Sequence, residues 1–107
     1  MASNRVAYTL TDLLGRLIAQ RGDAIHLHEG EPPVFEIKRV LCKVEGSSLE
    51  RGDTYALLAI TASEGDLVEF QKNGLVCFYH RVRQSSVFQF MAFREDKHVR
   101  LEIRKFR

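Results

Sequence analysis

The residues of this chain best suited to chemistry are its four histidines, its two cysteines and a scatter of carboxylates. His26 and His28 stand two apart, so on a strand both imidazoles point the same way, and Glu29 or Glu31 beside them can add oxygen ligands for a divalent cation. The remaining ligands would have to come from His80, His98 or a partner, and an ordinary strand face has the same spacing. No metal and no cofactor is therefore assigned. Nucleophilic catalysis needs a Ser or Cys, a base and an orienting group in contact. Cys77 and His80 share a short run, but nothing there completes the set. A phosphate-cradling P-loop needs two glycines five positions apart followed by Lys and Ser or Thr. No two of Gly15, Gly22, Gly30, Gly46, Gly52, Gly65 and Gly74 are five apart, which excludes P-loop ATP hydrolysis by this chain taken by itself.

A second possible chemistry is base stacking. Phe78, Tyr79, Phe88, Phe90 and Phe93 lie among Arg81, Arg83, Arg94 and Arg100, the mixture that single-stranded nucleic acids use on sheets. Phe88 and Phe90 share one strand face, where burial against helices is the expected fate, and no RNP-like run with its Gly is present. Nucleic acid is not the expected partner.

These side chains must be positioned by recognisable elements. Leu10, Leu13, Leu14, Leu17 and Ile18 form one apolar helical stripe, Thr9 with Asp12 resembles a capping box, and Gly22 offers a left-handed stop, so a helix over about 10–21 is expected. Ile25 to His28 alternates at period two. Two short strands, one there and one at Val34 to Ile37, should flank the rigid acidic turn Glu29 to Pro33, followed by a third at Val40 to Val44. Ser47 and Glu50 have capping-box spacing ahead of Leu49, Ala56, Leu57 and Ile60, which predicts a helix over about 48–61. Ser63 and Asp66 repeat that spacing before a third helix to Lys72, with Gly74 as its stop. The aromatic and β-branched runs 75–82, 87–93 and 99–106 predict an antiparallel meander. The class is α+β, a mostly antiparallel sheet with helices packed on one side.

With 107 residues, 45% apolar and 28% charged, the chain is expected to form one domain spanning 1–107, outside the collagenous, low-complexity and disulfide-scaffold classes. Net charge is only +2, yet residues 1–70 carry 7 basic and 11 acidic side chains and residues 71–107 carry 9 and 3, so a basic face is expected. In a meander such charges usually form the solvated face. Met1 to Tyr8 lacks the apolar core of a signal peptide, and no run approaches the ~18 apolar residues of a membrane span, which points to the cytoplasm. Cys42 and Cys77 stand in apolar strand-like runs and are expected to be free thiols acting as small hydrophobes.

The segment from Gly22 to Phe35 resembles the opening of the N-terminal domain of type IV pilus retraction ATPases, the twitching-motility motors. His26, Leu27, Gly30, Pro32 and Pro33 match that family's strand and its Gly-x-Pro-Pro turn, and Val87 to Phe93 is similar to its R-F-R-V-N-A-F strand. The departures fall on polar positions: the family's Asp is Ala24, its hairpin Arg is Glu36, its turn Gly is Arg39, and its two strand arginines are Val87 and Gln89. The likeness runs from about Leu10 to Phe106. It implies a PAS-like α+β domain that, in the motors, packs against a neighbouring subunit's ATPase core within a hexameric ring. The chain reaches Arg107 about where the linker to that core would begin, so it is either a domain of a motor or a stand-alone copy, and its initiating Met slightly favours a whole gene product.

The expectation that follows is a non-catalytic protein-interaction module, part of a pilus motor or a regulator of one. Its candidate contacts are the acidic turn with its flanking strand, His26, His28, Glu29, Glu31, Pro32 and Pro33, and the basic strand ends Arg81, Arg83, Arg100 and Arg104. Rigid hairpin geometry is the weightier reason for the two prolines, since proline pre-sets the backbone whether or not anything docks there. The alternative from another class is a PAS-like sensor of a small molecule or nucleotide, its pocket lined by some of the seven Phe and three Tyr, although a domain this small needs its aromatics for the core. Self-association through an exposed sheet edge is a third.

Overall fold

A computed structural model describes residues 8–82 and 85–106; Arg83, one of the expected contacts, lies outside them. The elements run α1 (Leu10–Ala19), β1 (Ala24–Leu27), β2 (Val34–Ile37), β3 (Val40–Lys43), α2 (Asp53–Thr61), α3 (Glu64–Asn73), β4 (Leu75–Val82), β5 (Ser86–Glu95) and β6 (His98–Lys105). The strands form one antiparallel sheet in the order β3-β2-β1-β6-β5-β4, with the helices on one face. The α+β expectation and the C-terminal meander are both present.

Strand register explains the core. Phe78, Phe90, Ile103, Ile25 and Phe35 lie opposite one another across five successive strands, so one apolar row spans the sheet. Onto this face α1 lays Leu10, Leu13, Leu14 and Leu17, and α3 adds Phe70. Thr9 caps α1 by accepting from the Asp12 amide at 3.1 Å. Ser63 and Asp66 form the expected reciprocal box at α3, which Gly74 stops at φ 71°.

Three local expectations are corrected. Helix α2 begins at Asp53 rather than 48, because the backbone of residue 49 is committed elsewhere: the Leu49 amide donates to the Glu31 carbonyl (2.8 Å) and its carbonyl accepts from Gly30 (2.7 Å). Leu49 is still buried, but from an extended segment, and the inward residues of α2 are Thr54, Leu57 and Leu58, while Ile60 is 71% exposed. After α1, Arg21 takes the left-handed conformation (φ 54°) instead of Gly22. Gly22 is required for space: a Cβ there would collide with Leu17 Cδ1 and sit 3.3 Å from Ile37 Cγ1. Finally, β3 is an edge strand exposed along its whole length, and Cys42 and Cys77 are exposed free thiols rather than buried ones.

Candidate interaction surface

Among the described residues the opposite face of the sheet carries no helix, and the alternation that buries Ile25, Leu27, Leu101 and Ile103 turns His26, Arg100, Glu102 and Arg104 onto it. Near its centre the register places His26 opposite both Glu102 on β6 and Val34 on β2, with Glu36 and Arg104 flanking Ala24 one row away. His26 Nε2 lies 3.2 Å from Glu36 Oε1 and its Nδ1 lies 3.4 Å from Glu102 Oε1. Arg104 Nη2 reaches the same two carboxylates at 3.5 and 3.4 Å. The hydrogen bond with His26, opposed by burial and reinforced by Arg104, holds Glu36 below its ordinary value of 4.5. Burial works against the Arg104 charge, but Glu36 and Glu102 raise its pKa in spite of it.

Beside this cluster lies a groove of about 470 Å³ lined by His26, His28, Glu31, Val34, Glu36, Leu41, Lys43 and Arg100. The structure thus brings together His26, His28, Glu31 and Arg100, and joins Arg104 to them through the ion pairs. Arg81 is apart, at the far end of β4, beside a cavity of about 300 Å³ under α1. Arg100 is paired with Glu95 at 3.3 Å. Arg104 is also paired, so the charges of Arg100 and Arg104 are offset by neighbouring carboxylates. Among the described residues no three His, Cys, Asp or Glu side chains are grouped to hold a metal ion.

The remaining turn residues are engaged internally. Glu29 is only 6% exposed at its side chain: Oε2 accepts from the Gly52 amide at 2.7 Å and from Thr54 Oγ1 at 3.3 Å, and Oε1 meets His98 Nδ1 at 3.0 Å. Burial pushes Glu29 upward, but the Gly52 N–H, His98 and Thr54 together bring it below its ordinary value. Pro33 is buried and its carbonyl accepts from Val44 at 2.8 Å, while Pro32 is half-buried, as a rigid hairpin requires. The partners of His26 were not singled out from sequence, because Glu36 and Glu102 lie ten and seventy-six positions away; only strand parity hints that they share its face. Also missed was an apolar area on the same face, where Leu75, Tyr79 and Phe106 are each about half exposed. The aromatics that a ligand chamber would use, Phe35, Phe70, Phe88 and Phe90, are instead packed in the core.

No protein-family model matches the chain, and no curated protein sequence does. Solved structures do. A crystal structure of the pilus retraction motor PilT with bound ADP is similar over 91% of this chain with a TM-score of 0.83 and 21% identity, covering 29% of the PilT chain. The ATPase DotB of Legionella pneumophila is similar over 100% of the chain (TM-score 0.79, 14% identity, 31% of that chain). DotB of Yersinia pseudotuberculosis is similar over 98% (TM-score 0.65, 14% identity, 33% of that chain). This chain therefore spans about a third or less of the length of the proteins it resembles. The fold is that of the N-terminal domain of PilT-like ATPases, in agreement with the resemblance carried by the His26 strand and the Pro-Pro turn. Among the described residues no helix is long and apolar enough to cross a membrane.

Proposed function

We propose that this chain is a protein-docking domain of pilus or secretion motor assemblies, contributing a contact surface rather than catalysis, either as part of such a motor or as a separate protein that binds one. The observation that carries the reading is the likeness to PilT, with a TM-score of 0.83 over 91% of this chain. The glycine spacing agrees, since it contains no P-loop. The docking surface is the groove at His26, His28, Lys43 and Arg100, which these polar side chains line together with the apolar Val34 and Leu41. The partner is a motor ATPase, and the working compartment is the cytoplasm.

The test mixes the purified protein with the pilus retraction ATPase, and separately with the DotB-type ATPase, of its own organism. The expected result is co-elution on size exclusion with one of them and a change in its ATP hydrolysis rate, both weakened by Lys43→Glu and Arg100→Glu. Absence of a complex and of any rate change with both ATPases overturns the proposal. So does a thermal shift by a nucleotide or other small molecule that is abolished by substitutions in the core, which would favour the sensor reading.

A further inference from the structure

Strand β3 is the sheet edge next to the candidate groove: β2 pairs with one flank of it, and among the described residues nothing pairs with the other. Two observations fix which backbone groups it leaves free. The Val44 amide donates to the Pro33 carbonyl at 2.8 Å. Lys38 and Arg39, at φ 51° and 67°, form a two-residue hairpin turn, which closes on a bonded Ile37–Val40 pair. Antiparallel pairs alternate between bonded and non-bonded. Val40, Cys42 and Val44 therefore direct their N–H and C=O groups at β2, and Leu41 and Lys43 direct theirs outward. The side chains of these same two residues line the groove on the helix-free face, and Leu41 is 65% exposed. A strand laid along this edge would bond to Leu41 and Lys43 and, because paired residues share a face, would set its own side chains beside theirs on the groove side.

The charge of this edge has one sign. Residues 38–43 include Lys38, Arg39 and Lys43 and no acid. All three cations are exposed, and among the described residues none is ion-paired. Glu36 is engaged with His26 and Arg104, and Asp23 with the Lys38 amide, while Glu31 and Glu45 stand beyond ion-pair distance of all three. Lys38 and Arg39 also occupy left-handed positions that Asn and Gly fill with least strain, so the turn carries two cations where its geometry favours neither. A lysine keeps an edge from pairing indiscriminately. Towards an acidic strand the same charge is an attraction.

We propose that β3 accepts an extended acidic segment of a partner protein as an added strand, antiparallel, with an acidic residue opposite Lys43, an apolar one opposite Leu41 and a second acidic residue towards Arg39. Antiparallel pairing continues the pattern of the sheet and is the slightly more stable ladder. Backbone bonds to Leu41 and Lys43 supply attachment, and the alternate side chains supply selectivity. A second copy of β3 offers Leu41 and Lys43 in return, with no acid among its outward-bonding residues to meet Lys43. The inference rests on the part of the proposed function that makes this groove a docking surface, and not on the partner being a motor.

The test titrates the isotope-labelled full chain with the peptide TETVTDT, blocked at both ends, up to several millimolar, read by amide NMR. The Leu41 and Lys43 amide signals should shift and gain protection from hydrogen exchange, and added salt should weaken the binding. The charge-reversed peptide TKTVTKT should bind about tenfold more weakly or worse, and Lys43→Glu should reverse that preference. Leu41→Pro removes an outward N–H without touching a β2–β3 bond and should abolish binding with the other amide signals retained. Should that variant unfold, the charge reversals decide. The proposal is overturned by a silent titration, by equal binding of the two peptides, by a folded Leu41→Pro that binds as tightly as the parent, or by Leu41 and Lys43 amides already protected before peptide is added. The motor reading is tested apart from it: a complex with a motor ATPase beside a silent peptide overturns only the strand addition, and peptide binding without any ATPase complex supports the strand addition and overturns only the motor partner.

Discussion

Replacing Glu29 separates an internal clamp from a contact residue, because the two roles predict opposite readouts. Its carboxylate ties the β1–β2 turn to the start of α2 through the 2.7 Å bond from the Gly52 amide, and to β6 through His98. Glu29→Ala removes a hydrogen bond to a charged acceptor, about 1.5–3 kcal/mol, and a negative charge at a helix N-terminus, about 0.3–1 kcal/mol. The His98 pair adds little, since that ring is 68% exposed and its attraction is screened. Thr54 is not orphaned, because its hydroxyl still donates to the Val99 carbonyl at 2.7 Å. Water can replace part of what Gly52 loses, so the net cost is about 2–3 kcal/mol, or roughly 10–20 °C in Tm for a chain of this size. Glu29→Gln keeps an acceptor of the same shape and should lose only about 1 kcal/mol. Urea titration followed by circular dichroism measures both, with an unchanged m-value required for the comparison. A Glu29→Ala cost below about 0.5 kcal/mol, the level of an ordinary surface substitution, would refute the clamp and return Glu29 to the contact surface.

Gly22→Ala should destabilise by about 1–3 kcal/mol by overpacking, since the added methyl meets the buried Leu17 side chain, whereas Gly15→Ala, with open space around it, should not; thermal melts distinguish the two. Glu29 and Glu36 are both held below their ordinary value of 4.5, so each adds stability that is present above that value and lost as pH falls through its lower folded value. The urea midpoint should therefore be level near neutrality and fall below about pH 4.5, less steeply in Glu29→Gln; a midpoint that falls equally in that variant contradicts the assignment.

Periodicity carried most of the fold. The stripe from Leu10 to Leu17, the Ser63–Asp66 box and the three C-terminal runs were legible because each is set by neighbours within a few residues. What failed was decided across the chain. The Ser47–Glu50 spacing mimics a cap, but backbone bonds between Leu49 and the β1–β2 turn hold that segment extended and delay α2 until Asp53. Cys42 alternates like a core residue and even shares the core face by pairing with Phe35, yet β3 lies at the sheet edge and Cys42 is exposed. The candidate surface shows the same division. Parity put His26 and His28 on a common face, whereas their placement beside Arg104, Glu36 and Glu102 depends on strand order, which no local pattern encodes.

The resemblance to retraction motors acquires a physical content once its departures are placed on the sheet. Gln89, Arg104, Ala24 and Glu36 stand opposite one another on successive strands β5, β6, β1 and β2, so three of the five departing positions share one row of the helix-free face. In the family's pattern, positions 24 and 36 carry Asp and Arg, opposite charges directly across from each other, where a pair contributes about 0.2–1 kcal/mol. Here the acid stands at Glu36, its cationic partner is Arg104 on the far side of the fully buried Ala24, and the 3.5 Å contact spans the gap. The charge pair has moved by one strand. Ala24→Asp alone should then set a carboxylate beside Glu36, and Glu36→Arg alone should set a guanidinium beside Arg104, and each should destabilise. Together they rebuild the family's pair with Arg104 as a second cation for Asp, so the double variant should be more stable than the sum of the singles by about 1–2 kcal/mol. Additivity within about 0.5 kcal/mol, the behaviour of independent sites, would mean that the row is not electrostatically coupled and that the substitutions in this chain answer to something other than each other.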